Sequence, residues 1–124
     1  MADNARELTN LTAAAPGANR ALYEHVLIPG ETILMEFKAL RDVCVITDRK
    51  IIAVSVQSLT GKKKEVLVLP FSKMSAYATE SSGAFDMDAE LTVWSSGIGK
   101  VEFSFIRGTV DIREITRIMA ERIG

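Results

Sequence analysis

Lys62, Lys63 and Lys64 form the one basic run of the chain, and Arg49 and Lys50 add two cations upstream. Cations so grouped suit phosphate groups or an anionic membrane surface, at ~1 kcal/mol for each lysine close to such a surface. The commoner use of such a run is a solvated hairpin tip whose lysines deter edge-to-edge pairing. Asp86, Asp88 and Glu90 alternate along one strand face, and carboxylates of this kind attract hard cations. Their spacing lacks the glycine and the distal glutamate of a calcium loop, so an acidic solvent face is expected and no metal site. His25 is the only histidine, and a general base needs a nucleophile and an orienting acid that the pattern does not provide. Cys44 is the only cysteine and sits in an apolar strand, where a thiol is buried and inert. Gly97-Ile98-Gly99 lacks the third glycine of a dinucleotide loop and precedes a strand. Trp94 and Tyr77 are residue types that anchor interfaces when they are not half-buried on a wall. No catalytic set emerges, no cofactor is implied, and an enzyme is not expected.

Composition narrows the classes further. A length of 124 residues suits one domain with a core that needs no staples. Lys plus Arg is 15 against 16 for Asp plus Glu, without the basic excess of a nucleic-acid binder. A lone cysteine excludes an intramolecular disulfide. No apolar run approaches the ~20 residues of a membrane span, and the first residues lack a basic-then-apolar leader. A cytoplasmic location is expected.

The elements that must position these residues follow from periodicity. Strand-like segments fall near 31–40, 42–48, 50–57, 65–70, 74–81, 88–95 and 100–106. Residues Ile33, Met35, Phe37 and Ala39 alternate with Glu36 and Lys38; Leu91 and Val93 alternate with Glu90, Thr92 and Trp94; Val101, Phe103 and Phe105 alternate with Glu102 and Ser104. Arg41-Asp42 and Asp48-Arg49 are tight turns, and Pro70 closes a strand because it cannot donate to a ladder. A helix from Asp111 to Ile123 has an N-cap signal in Asp111 and Glu114 and an apolar stripe of Ile112, Ile115, Ile118, Met119 and Ile123. Ahead of the strands, residues 1–15 read as a polar, loosely docked arm. Ala18, Ala21, Leu22 and Val26 predict a short helix that ends before Pro29. The chain thus divides at 1–23, arm and short helix, and 24–124, the barrel domain.

One asymmetry bears on function. The strands near 42–48, 50–57 and 65–70 are apolar on both faces, whereas an antiparallel wall normally alternates. One set is Val43 and Val45 against Cys44 and Ile46; another is Ile52, Val54 and Val56 against Ile51 and Ala53; the third is Leu67 and Leu69 against Val66 and Val68. Both sets cannot point inward, and a large exposed apolar patch marks an interaction surface. Cover comes either from the chain's own first helix, through Leu22 and Val26, or from another copy. Val43, Val45, Ile52, Val54, Leu67 and Leu69 are the candidates for a homo-oligomer interface, of either parity.

The stretch from Leu27 to Ile123 resembles the bacterial pleckstrin-homology-like domain family. The resemblance rests on Ile28-Pro29-Gly30-Glu31, Phe37-Lys38-Ala39-Leu40-Arg41-Asp42, Ile46-Thr47-Asp48-Arg49-Lys50-Ile51-Ile52, residues 57–63, residues 85–91, Trp94 and Ser96-Gly97. It implies a mainly β fold with α: a PH-like split barrel of seven antiparallel strands in two near-orthogonal sheets, capped by the C-terminal helix. It also implies homo-oligomeric rings, with no established activity or ligand. Phosphoinositide-binding PH domains carry basic residues in a long loop between their first two strands, and here that connection is Arg41-Asp42. The expected function is a non-catalytic binding and assembly module that self-associates through apolar strand faces and presents a platform for a protein or peptide. The alternative is a peripheral membrane or phosphate-ligand sensor using Lys62, Lys63, Lys64, Arg49 and Lys50.

Overall fold

The computed structural model describes residues 6–56, 63–81, 88–106, 108 and 110–124. Among these residues, eight strands hydrogen-bond side by side: β1 (Arg6–Ala14), β2 (Ile33–Lys38), β3 (Asp42–Thr47), β4 (Lys50–Val56), β5 (Lys64–Pro70), β6 (Met74–Ser81), β7 (Ala89–Ser95) and β8 (Gly99–Phe105). Their spatial order is β5-β4-β3-β2-β1-β8-β7-β6. β2 to β5 form one antiparallel meander and β6 to β8 another. The run stays open between β5 and β6, the two terminal strands. A helix α1 (Ile112–Arg122) follows.

The expected seven antiparallel strands become eight because the arm is not an arm. Residues Arg6–Ala14 join the two meanders, antiparallel to β2 and parallel to β8. Leu8 and Leu11 are both buried, although strict alternation would put residues three apart on opposite faces. A register shift between them, with Asn10 at a φ of 60°, turns both inward. Asparagine tolerates this left-handed conformation better than most residues. Burial of these leucines and pairing on two sides hold the segment, so loose docking does not apply to it.

The main core lies between the meanders. It gathers Leu8, Leu11, Phe37, Cys44, Ile46, Ile51, Leu69, Leu91, Val93, Val101, Phe103 and Phe105. Phe37 and Phe105 meet edge to face at 4.8 Å. The apolar stripe of α1 closes this core through Ile115 and Met119. Asp111 caps the helix by accepting from the Arg113 N–H at 3.0 Å, satisfying a donor that has no intrahelical partner. The Arg113 side chain and N–H hold the Asp111 carboxyl below its ordinary value.

Between β1 and β2 the predicted short helix is two 3-10 turns, Arg20–Leu22 and Glu24–Val26. Only Tyr23 is buried in this stretch. The segment crosses the outer face of the β2–β5 meander as a strap.

Candidate functional site

The outer face of the first meander is where sequence reasoning placed an interface. Cross-strand register sets Val43 against Val54 and Val45 against Ile52, so all four share that face. They form a second cluster with Tyr23, separate from the main core, and Leu22, Val26, Leu27, Ile33 and Val66 pack against it. All four are at most 1% exposed in the single chain. Cover is therefore internal, and these four side chains have no surface left to offer a second copy. Leu69 belongs to the main core and Leu67 packs half-buried against that core. The doubly apolar strands need burial on both faces, and the strap supplies it on the outer one.

What holds the strap is polar. Glu36, on β2, is 1% exposed and faces outward among the valines, opposite Val45. One carboxylate oxygen accepts from the Gly17 N–H at 2.8 Å and the Tyr23 hydroxyl at 2.5 Å. The other accepts from the Asn19 N–H at 2.7 Å and the Asn19 side-chain amide at 2.8 Å. Every one of these donors comes from the strap. Burial, then Glu36 itself, pushes the Tyr23 phenol well above its usual value, so the hydroxyl stays a donor. Lysines hold the far half of the strap: Lys64 donates to the Leu22 carbonyl at 3.1 Å and Lys50 to the Val26 carbonyl at 2.6 Å. Sequence reasoning put Glu36 on the face opposite Phe37 and read no role there. The available signal was a lone acid on a face whose neighbours are valines.

The predicted cation patch does not assemble. Register pairs Lys50 with Pro70 and Val56 with Lys64. Arg49 and Lys50 thus lie at one end of the β4–β5 hairpin and Lys63 and Lys64 at the other, roughly 20 Å apart by strand rise. Lys62 lies outside the described residues. The Lys50 ammonium is largely buried and pairs with Glu31 at 2.9 Å, so it is not available to an external anion. Thr47 donates to the same carboxylate at 2.5 Å, and the Ile28 N–H donates to it at 3.1 Å. The Thr47 oxygen in turn accepts from the Arg49 and Lys50 N–H groups, both at 3.0 Å. This knot ties the end of the strap to the β3–β4 turn. Burial raises the Glu31 carboxyl, but the bonds from Thr47, Lys50 and Ile28 outweigh it, and the net shift is downward.

The remaining candidates scatter. Asp86 lies outside the described residues. Glu90 is exposed and sits directly opposite Glu80, a like-charge pairing that costs stability. His25 is exposed in the middle of the second 3-10 turn. Cys44 is fully buried, and desolvation, then the Glu36 charge, pushes its thiol well up, away from the thiolate that reactivity needs. Trp94 keeps part of its surface in water, and Tyr77 is half-buried against the main core. Among the described residues, no helix is long and apolar enough to cross a membrane.

Two meanders packed about one core and closed by a C-terminal helix define a PH-like fold, a class made up generally of binding modules. The family model for the bacterial PH domain matches residues 4–123, and the chain belongs to that family. It is 38% identical over 90 residues to the uncharacterized protein YjqA of Bacillus subtilis, across 73% of this chain and 72% of YjqA. Its fold is similar to a DUF1696 family protein with a pleckstrin-homology domain from Shewanella loihica, with a TM-score of 0.77 and 26% identity over 94% of this chain and 99% of the other. A pleckstrin homology domain from Shewanella amazonensis matches with a TM-score of 0.65 and 30% identity over 90% of each chain.

Proposed function

We propose that the chain is a non-catalytic PH-like module that works by strand addition at its open edges, joining copies of itself or receiving an extended peptide. The observation that carries this is the open run of strands. Among the described residues, β5 pairs only with β4, and β6 only with β7. Each therefore presents unpaired backbone donors and acceptors along one side, a template for another strand. On β5 the edge is also apolar, with Val66, Leu67 and Val68 half-buried. Main-chain pairing with alternating side-chain contacts is a recurrent mode of peptide capture. This moves self-association from the strand faces, which the strap covers, to the strand edges. Light scattering tests it: the wild-type protein is expected at a multiple of 13.6 kDa, and Val68→Lys at the single-chain mass with an unchanged circular dichroism spectrum. A wild-type protein that stays at 13.6 kDa across micromolar concentrations and captures no strand-forming peptide ends the reading.

A second reading, contact with an anionic membrane or phosphate surface, draws on the β2–β3 turn. Leu40 there is 92% exposed, between the exposed cations Lys38 and Arg41. The turn lies at the Lys64 end of the sheet, since the Val56 N–H donates to the Arg41 carbonyl at 2.9 Å. Sedimentation with anionic vesicles tests it. Binding lost in high salt and in Leu40→Ser supports it, and no binding at low salt removes it.

A further inference from the structure

We infer that residues 17–30 form a flap, hinged at both ends, that opens as a unit of its own while the rest of the domain stays folded, with Glu36 as its latch. Three observations converge on this. First, the apolar contacts of the strap belong to the second cluster alone. Tyr23, Leu22, Val26 and Leu27 touch that cluster, and none of them contributes to the main core. Lifting the strap leaves the main core intact. Second, each end carries a Pro-Gly pair: Pro16 with Gly17 at a φ of 90°, and Pro29 with Gly30 at a φ of 86°. Both glycines hold a conformation that favours glycine, and a side-chain carbon on either would meet nothing within 4 Å. Between them lie only two short 3-10 turns, which store little local stability.

Third, the latch is a charge. All four donors to Glu36 come from the strap. Closed, the carboxylate exchanges water for those bonds; open, it recovers its hydration. A buried carboxylate is costly without its partners and inexpensive in water. An apolar residue at this position would favour the closed state in both respects, by burial and by the cost of exposing it. The carboxylate is instead satisfied in each state by a different means, by strap donors when closed and by water when open. Lys64 behaves in the same way, since it holds the Leu22 carbonyl when closed and is a solvated ammonium when open. Opening uncovers Val43, Val45, Ile52 and Val54.

Amide hydrogen exchange on the full chain tests the inference. The probes are the strap N–H groups of Leu22, Tyr23, Val26 and Leu27, which bond only within the strap, against ladder amides of β7 and β8. In the wild-type protein the strap amides are expected to exchange at least about a hundredfold faster than the ladder amides, as sub-global openings do. Glu36→Gln keeps the shape but loses the charge and one acceptor. It is expected to raise the strap rates about tenfold more, the size of effect expected for weakened bonds to a charged group, with the strap still opening ahead of the ladders. Strap and ladder amides exchanging together in one global event, in wild type and variant alike, would overturn the inference. Tyr23→Phe, which removes the single hydroxyl donor and keeps the ring, gives the same comparison if Glu36→Gln does not fold.

Discussion

Replacing Glu31 with alanine is expected to lower the free energy of unfolding by about 3–5 kcal/mol, the usual penalty for stranding one member of a buried ion pair. The Lys50 side chain is 11% exposed and that of Glu31 is fully covered, so water cannot replace the missing carboxylate. The same substitution removes the acceptor of the Ile28 N–H and leaves the Thr47 hydroxyl only the Lys50 carbonyl, at 3.2 Å. A urea titration of the wild-type and variant proteins measures the loss. Replacing both partners with leucine and methionine should cost clearly less than Glu31→Ala alone, because no charge is then stranded. If the double variant is as unstable as the single one, the ion pair is not the source. The pH dependence has a fixed sign. The Glu31 carboxyl is depressed in the folded state, so its contribution is present above the unfolded glutamate value, about 4.3. It is lost as pH falls below that through the folded value. Glu31→Gln should flatten this acid limb of the stability curve.

Leu11→Ala is expected to cost about 2–5 kcal/mol, the range for a fully buried leucine. The reason is position rather than size alone. Leu11 lies in the strand that joins the two meanders and packs in the core with Phe37 and Phe105. Leu8→Ala should cost less, since Leu8 retains some exposure. Deleting residues 1–14 should abolish cooperative unfolding, because it leaves β2 and β8 each with one open side. Thermal melts followed by circular dichroism check all of these; a truncated chain that melts like the full one contradicts the assigned role of β1.

Most of the fold was legible from residue patterns, and the misses have physical causes. The later strands follow from alternation or from short apolar runs bounded by turns, and α1 from one helical stripe behind Asp111. β1 was hidden because Leu8 and Leu11 stand three apart, which mimics helical spacing. A register shift between them, with Asn10 in the left-handed region, makes that spacing compatible with a strand and leaves little trace in a single sequence. Ala18, Ala21, Leu22 and Val26 recur at helical spacing, yet the strap is not an α-helix. Its N–H groups at Arg20, Leu22, Tyr23, Val26 and Leu27 instead bond three residues back, so the segment closes as 3-10 turns that bring Tyr23 over the valines. The excess of apolar surface on the middle strands was correctly read as needing cover, but periodicity does not say who supplies it. The division of the cations was available earlier. A hairpin that pairs Lys50 with Pro70 places Lys64 at its other end, and register, not proximity in sequence, decides which charges meet.

The parallel pairing of β1 with β8 sets an order of events during synthesis. Arg6 leaves the ribosome well before its ladder neighbour Val101, which lies far along the chain. Until then the β2–β5 meander can form alone but lacks the wall that closes its inner side. Long-range closure of this kind slows folding and prolongs the exposure of apolar strand surface. For a nascent chain of this domain, the time between those two emergences is the interval in which help from a chaperone would count most.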